Sequence, residues 1–154
     1  MAKTRTEVSI ASVGKALSRA LGLLARRAYT EAELKKKLKA YPEPEVEEAI
    51  RKLKDWGYLD DRAYAERYVS ARKDRYGPYR LRQELRRRGV EEALLDELVT
   101  EKGEAEAAYA LLFRHRNRYR GEKARAVRFL LSRGFSLEAA LLAFDRLQNE
   151  EPEG

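Results

Sequence analysis

Residues 57–90 read GYLDDRAYAERYVSARKDRYGPYRLRQELRRRGV and contain two helix patterns, one on each side of Gly77-Pro78. In both patterns apolar residues recur at every third or fourth position, which is the spacing of one face of an α-helix. Pro78 suits the first turn of the second helix, because the backbone donor that proline lacks would be unpaired there. Gly57 and Gly89 stand where left-handed glycines end helices. The stretch therefore predicts two short helices bounded by glycines.

The composition extends this prediction to the whole chain. The 154 residues are 44% hydrophobic and 38% charged, and none of them is cysteine. Few segments alternate as β-strands do, so we expect an all-α fold. The lack of cysteine excludes disulfides, thiolate catalysis and cysteine-ligated zinc, and it suits a reducing cytosol. No apolar run is long enough to span a membrane, so we expect a soluble, cytoplasmic protein.

The helix patterns repeat in groups of three. Leu17, Tyr64 and Tyr109 occupy one position of the pattern at intervals of about 45 residues. Each is followed four residues later by a large apolar residue: Leu21, Tyr68 and Phe113. We expect Leu21 and Tyr68 to lie on the apolar faces of their helices. The third helices repeat the segments VEEAI, VEEAL and LEAAL, which begin at Val46, Val90 and Leu137. The spacing therefore predicts tandem three-helix repeats with about nine helices, elongated and curved because each repeat contacts mainly its neighbours.

Caps and helix breakers set the expected limits of these elements. Thr30 and Glu33 form a capping-box sequence, and Ser136 is a candidate N-cap. We expect Pro42 and Pro44 to lie between helices, because neither ring fits inside one. The expected helices cover about residues 13–27, 31–40, 45–56, 61–76, 78–88, 91–101, 104–117, 121–133 and 137–149. The expected parts are a flexible tail at 1–12, repeats at 13–60, 61–102 (basic) and 103–149, and an acidic tail at 150–154.

Positive charge is concentrated in the second repeat. Residues 62–88 contain ten Lys or Arg and three acids. Their net charge of +7 equals the formal net charge of the whole chain. Seven acids gather between Glu91 and Glu106. We therefore expect basic second helices and acidic third helices, an alternation that suits a mixed partner such as a protein filament carrying DNA. The alternative is that Arg and Glu are present simply as good surface helix formers.

The basic residues that flank Gly77-Pro78 are the best candidates for binding such a partner. Arg82 and Arg86 lie four residues apart on the outer face of their helix, so we expect them to repel each other in the free protein. Tyr76 and Tyr79 could stack on a base or contact a partner. The predicted binding residues are Arg72, Lys73, Arg75, Tyr76, Tyr79, Arg80, Arg82, Arg86, Arg87, Arg116, Arg118 and Arg125.

No catalytic site can be assembled from these residues. His115 is the only histidine, and it has no nucleophile or metal-ligand partner at a useful spacing. Asp60 and Asp61 follow a helix-ending glycine, so we interpret one of them as a helix cap rather than a metal ligand. No glycine-rich phosphate-binding motif occurs. We therefore predict neither an enzyme nor a metal or cofactor site.

The sequence resembles the RecX family of regulators of the bacterial recombinase RecA. The matching segments are GYLDD (57–61), AYAERYV (63–69), Arg72 and G-P-Y-R-L-R-Q-E-L-x-x-x-G-V (77–90). LLARRAYTEAELKKKL (23–38) is similar to the opening segment of the family. The likeness covers about residues 14–147, and in the third repeat it rests on Gly134-Phe135 and the apolar spacing.

The resemblance implies tandem three-helix repeats and a function in homologous recombination, DNA repair and the SOS response. It implies a monomer that binds along the groove of RecA filaments on single-stranded DNA and lowers their ATP hydrolysis, strand exchange and co-protease activity. Contact with single-stranded DNA could be direct or occur within the filament. Two alternatives stay open at this point. One is a general nucleic-acid-binding helical module that acts without RecA, and the other is a scaffold that binds only protein through its acidic helices.

Overall fold

The computed structural model describes residues 10–150 and the side chains of residues 14–150. Within that range the chain forms ten α-helices and no β-strand, so the predicted all-α fold is confirmed. The helices are α1 (Ile10–Arg26), α2 (Glu31–Lys37), α3 (Glu43–Asp55), α4 (Asp61–Arg72), α5 (Pro78–Arg87), α6 (Glu92–Leu98), α7 (Glu104–Arg114), α8 (Arg116–Tyr119), α9 (Lys123–Ser132) and α10 (Leu137–Asn149). Residues 10–12 of the predicted N-terminal tail belong to α1. The rest of that tail, like residues 151–154, lies outside the described residues.

The tenth helix arises because the predicted seventh helix breaks at His115. The backbone of His115 has φ −114° and ψ 23°, so α7 ends at Arg114 and the single turn of α8 follows. The break places Tyr119 in the core, where its ring stacks on that of Phe129 with 4.9 Å between centroids. Burial of an aromatic ring thus outweighs continuity of the helix.

Several predicted helix limits are wrong. α2, α4 and α6 each end about one turn earlier than expected, at Lys37, Arg72 and Leu98. α3 begins at Glu43, so Pro44 lies in its first turn and not between helices. The physical reason is that a first-turn residue needs no intrahelical hydrogen bond from its backbone nitrogen. The same reasoning correctly placed Pro78 as the first residue of α5.

The predicted caps are present. Thr30 Oγ1 accepts a hydrogen bond from the Glu33 amide at 3.1 Å, and the Glu33 carboxylate accepts one from the Thr30 amide at 3.0 Å. Ser136 Oγ accepts from the Ala139 amide at 3.1 Å. Of the two candidate aspartates, Asp60 caps α4 by accepting from the Ala63 amide at 3.1 Å. Local chemistry therefore sets these helix starts.

The chain packs as two compact units. The first comprises the described part of Met1–Ala65 together with Arg88–Val90, and its core includes the fully buried Leu34, Leu38 and Leu53. The second comprises Glu66–Arg87 and the described part of Glu91–Gly154, with a core in α7, α9 and α10 that includes Leu112, Leu130 and Leu147. The predicted repeat limits and the elongated, curved outline stay predictions.

One expected feature of the core is wrong. Tyr68 is buried, but Leu21, which we expected on the apolar face of α1, is 37% exposed; Phe113, at the matching position of the third repeat, is also 37% exposed. Among the described side chains of α1, from Gly14 to Arg26, the buried ones are Ala16, Ala20 and Leu23, a narrower stripe than the apolar pattern predicts. The main contacts of α1 are with α3, so residues on its flank remain in solvent.

Each unit contains one close approach of helix ends at a glycine, which we call a glycine joint. In the first joint, Thr30 Oγ1 donates to the Arg88 carbonyl at 2.5 Å, and a Cβ atom on Gly89 would lie 2.3 Å from the Ala32 Cβ. In the second, the Gly77 amide donates to the Arg133 carbonyl at 2.7 Å and the Tyr79 amide donates to the Gly134 carbonyl at 3.1 Å. The first joint brings the start of α2 against residues 88–89, and the second brings the start of α5 against the end of α9.

Candidate partner-binding surface

The second glycine joint fixes the bend between α4 and α5. A Cβ atom on Gly77 would lie 2.4 Å from the Gly134 carbonyl oxygen, so no larger residue fits there without movement of the backbone. Gly134 has φ +92°, and a Cβ atom on it would lie 2.5 Å from the Arg80 backbone nitrogen. The chain on both sides of Gly77 is therefore held in place by backbone contacts.

Six residues around this bend form a group that we call the elbow cluster. Its members are Arg72, Lys73, Arg75, Tyr76, Arg80 and Arg114. The Arg80 guanidinium lies over the Tyr76 ring, 4.0 Å from the ring centroid, and the Arg75 guanidinium lies 5.8 Å from the same centroid. The Arg72 guanidinium lies 3.9 Å from the centroid of Tyr68. Aromatic rings thus hold these arginines by their faces, which leaves N–H groups at the guanidinium edges for a further acceptor.

The elbow cluster meets little negative charge. Within residues 10–150 its cations have one carboxylate within 4 Å, that of Asp74, whose oxygens lie 3.9 Å from Arg75 Nε and from Arg114 Nη1. Arg114 also donates to the Asp74 backbone carbonyl. Exposed ion pairs at such distances are weak. One acid for five cations leaves this surface positive.

The arginines of α5 are held differently. Arg82 Nη1 lies 2.7 Å from Asp96 Oδ1, and Arg82 Nη2 donates to the Val99 carbonyl at 3.3 Å. Arg86 donates through Nε to Glu92 Oε1 and through Nη2 to Glu92 Oε2, the latter at 3.1 Å. Hydrogen bonds from Arg86 hold the pKa of the Glu92 carboxyl below its ordinary value. Acids of α6 therefore neutralise much of the charge on α5.

An acid offsets the predicted repulsion between Arg82 and Arg86. Glu92 lies between them, with Oε2 3.7 Å from Arg82 Nη1 while it also binds Arg86. The sequence predicted a basic α5 and an acidic α6 as separate charged helices. Because α6 packs against α5, the acids of α6 lie next to the arginines of α5. Arg87 also has a partner, because its Nη1 lies 3.5 Å from Glu84 Oε1 on the same helix.

The remaining predicted residues lie outside this bend. Arg116 of α8 donates to the Phe113 carbonyl at 3.0 Å, and its guanidinium lies 4.2 Å from the Phe113 ring centroid. Arg118 and Arg125 are exposed, on α8 and α9. Tyr79 is 65% exposed, so its ring is open to a partner. Sequence reasoning missed Arg114 as part of the bend, although the run RHRNRYR contains it, because only tertiary packing brings it to Asp74.

Within residues 10–150 no three His, Cys, Asp or Glu side chains are placed to hold a metal ion. The ring of His115 packs edge-on against Phe129, with 5.3 Å between centroids. In the same range no helix combines the length and apolar character needed to cross a membrane.

Comparison with known proteins gives consistent results. Residues 16–53 match the family model of the first three-helix domain of RecX, and residues 60–98 match that of the second. The regulatory protein RecX of Thermus thermophilus is 50% identical over 141 residues, which cover 91% of this chain and 96% of the relative. The crystal structure of RecX from Lactobacillus salivarius has a TM-score of 0.79 at 26% identity and covers 90% of this chain and 98% of its own. A second crystal structure of a regulatory protein RecX has a TM-score of 0.73 at 33% identity, and the match covers 87% of this chain and 73% of the chain in that structure.

Proposed function

Because this chain belongs to the RecX family, we propose that it regulates the RecA recombinase. In this proposal a monomer binds along the groove of RecA filaments on single-stranded DNA. Bound there, it lowers ATP hydrolysis, strand exchange and co-protease activity. The names of its relatives, which call them regulatory proteins, support a role in regulation. The observation that carries the proposal for this chain is the elbow cluster.

The elbow cluster has the chemistry needed to bind a phosphate backbone. The guanidinium groups of Arg72 and Arg80 are oriented before binding, by the Tyr68 and Tyr76 rings, so less side-chain freedom is lost when an edge takes a phosphate oxygen. The carboxylate of Asp74 lies 3.9 Å from both Arg75 and Arg114, so these ion pairs are weak. Binding of a phosphate therefore does not require the cations to break a strong ion pair. We therefore propose that Arg72, Lys73, Arg75, Arg80 and Arg114 face the DNA in the filament.

The other predicted residues have secondary parts in the proposal. Arg82 and Arg86 must share their hydrogen bonds with Asp96 and Glu92, so their attraction for an added phosphate is reduced. Tyr76 supports Arg80, and the exposed Tyr79 contacts the partner. Arg87, Arg116, Arg118 and Arg125 widen the positive surface that attracts the filament.

ATP hydrolysis by preformed filaments tests the proposal. The protein is added well below the RecA concentration, at physiological salt, to RecA already assembled on single-stranded DNA. We expect hydrolysis to fall at substoichiometric amounts, because too little protein is present simply to cover the DNA. Unchanged hydrolysis in the presence of strong binding to naked DNA would contradict RecA regulation.

That second result would favour a general nucleic-acid-binding module acting without RecA. The observation in its favour is that the described part of the elbow cluster has one carboxylate, that of Asp74, within 4 Å of its cations. A positive surface of this kind attracts any phosphate backbone. Such a module should bind naked single strands tightly. Its affinity should also fall with salt. The logarithm of the binding constant, plotted against the logarithm of the salt concentration, should have a slope of about −0.7 for each phosphate contact.

A further inference from the structure

An apolar groove lies beside the elbow cluster, at the second glycine joint. Its volume is about 380 Å³, and its walls include Pro78 and Tyr79 of α5, Leu131 of α9, Phe135, and Leu137 of α10. Phe135 is buried, but Tyr79, Leu131 and Leu137 are 65%, 42% and 55% exposed. Of the eight large apolar side chains exposed among the described residues, three therefore line one groove. Clustered apolar exposure of this kind is typical of a binding surface.

The charges around the groove favour a protein partner over a nucleic acid. Glu101 and Glu104 line it, and Glu101 is exposed. The cation that lines it, Arg82, is bound to Asp96 at 2.7 Å and to the Val99 carbonyl. The rim is thus acidic, in contrast to the elbow cluster. An acidic rim repels a phosphate backbone and suits a protein segment with Lys or Arg beside an apolar side chain.

The walls of the groove are held in place before any partner binds. The Tyr79 amide donates to the Gly134 carbonyl at 3.1 Å, which fixes α5 against the end of α9. The Ser136 amide donates to Glu104 Oε1 at 2.6 Å, and the Ser136 side chain caps α10, whose first residue is Leu137. A preformed groove loses little conformational freedom on binding, so apolar burial contributes more of its free energy to affinity.

We propose that this groove holds an apolar side chain of a protein subunit of the filament, with a Lys or Arg next to that side chain facing Glu101. The inference rests on the proposed function, since it takes the filament as the partner. It divides the binding between two neighbouring surfaces. The elbow cluster binds the DNA backbone, and the acidic apolar groove binds the protein that surrounds the DNA.

Two matched substitutions on α10 test this division. Leu137→Glu places a charge in the groove, and because Leu137 is the first residue of α10, an acid there is favoured by the helix dipole. Leu142→Glu is the control, since Leu142 is 52% exposed on the same helix but does not line the groove. Affinities of the wild type and both variants are measured for RecA filaments and for naked single-stranded DNA at one salt concentration. Circular dichroism and urea unfolding verify that each variant is folded.

We expect Leu137→Glu to weaken filament binding at least about tenfold, as for a central apolar contact, and Leu142→Glu to change it less than about twofold. Binding to naked single-stranded DNA should be equal for all three proteins. Glu101→Gln should weaken filament binding by about threefold without weakening binding to naked DNA.

Three results would overturn the groove proposal while the wild type still binds filaments. They are an unchanged affinity of Leu137→Glu for filaments, an equal loss for Leu142→Glu, and an equal loss of Leu137→Glu on naked DNA. The last result would mean that the groove holds nucleic acid. Failure of the wild type to bind filaments would instead overturn the proposed function, and the groove proposal with it.

Discussion

The elbow cluster and the arginines of α5 are neighbours in sequence, yet different contacts hold them. Arg80 lies over the ring of Tyr76, and the Arg75 guanidinium lies 5.8 Å from the centroid of that ring. Arg82 and Arg86 are bound by carboxylates of α6. An aromatic ring orients a guanidinium without neutralising it, whereas a carboxylate does both. Counting arginines therefore overstates how much of the positive charge in the second repeat is left without a nearby acid, and this difference supports the proposal that the elbow cluster faces the DNA.

The largest effect should come from a substitution that removes the bend itself. In Gly134→Ala the new Cβ would lie 2.3 Å from Arg80 Cβ and 2.5 Å from its backbone nitrogen, at φ +92°. We expect a loss of about 3 kcal/mol in the free energy of unfolding, from overpacking together with backbone strain. Urea unfolding measures this loss.

Gly103→Ala is the control for backbone strain alone. Gly103 also has positive φ, at +75°, but a Cβ atom on it would meet nothing within 4 Å. We expect this variant to lose only about 1 kcal/mol. Equal losses for the two variants would mean that the close approach at Gly134 contributes nothing to the joint.

A smaller effect should follow from releasing the arginines of α5. Glu92 binds Arg86 through both oxygens and also lies 3.7 Å from Arg82. Glu92→Gln removes this negative charge, so the α5 arginines should become more like those of the elbow cluster. We expect affinity for naked single-stranded DNA to rise about threefold at low salt. No rise, measured by fluorescence anisotropy, would mean that pairing does not limit these arginines.

The smallest effect concerns pH. The pKa of Glu92 is held below its ordinary value of 4.5 by hydrogen bonds from Arg86. A carboxyl with a lowered folded-state pKa adds stability above its unfolded pKa, and this is lost as pH falls through the folded pKa. The stability difference between wild type and Glu92→Gln should therefore be present at about pH 7 and shrink at about pH 3. A urea midpoint difference that stays constant over this range would contradict this assignment.

Local signals predicted much of the fold. The capping box at Thr30, the cap at Ser136 and the first-turn Pro78 were read correctly because each depends on neighbours within one helical turn. The break at His115 was missed because burial of Tyr119, a tertiary contact, decides it. The spacing of the pattern indicated tandem three-helix repeats. It did not indicate how the helices within one repeat pack against one another.

The candidate surface was less predictable for the same reason. The sequence indicated a basic segment around Gly77-Pro78, and the structure has the elbow cluster there. It could not indicate that Glu92 pairs with Arg86, because that contact depends on how α6 packs against α5. The apolar groove was also missed, since its walls come from segments about fifty residues apart that meet at the second glycine joint.

Inhibition of RecA filaments by two double variants tests the central claim most directly. Arg75→Gln with Arg80→Gln removes two cations of the elbow cluster, and Arg82→Gln with Arg86→Gln removes the two that are bound by acids. We expect the first pair to raise the concentration for half-inhibition of ATP hydrolysis at least about tenfold, because each lost phosphate contact is of order 1 kcal/mol. The second pair should raise it less than about threefold. Equal effects, or a larger effect of the second pair, would contradict the claim that the elbow cluster is the surface that faces the DNA.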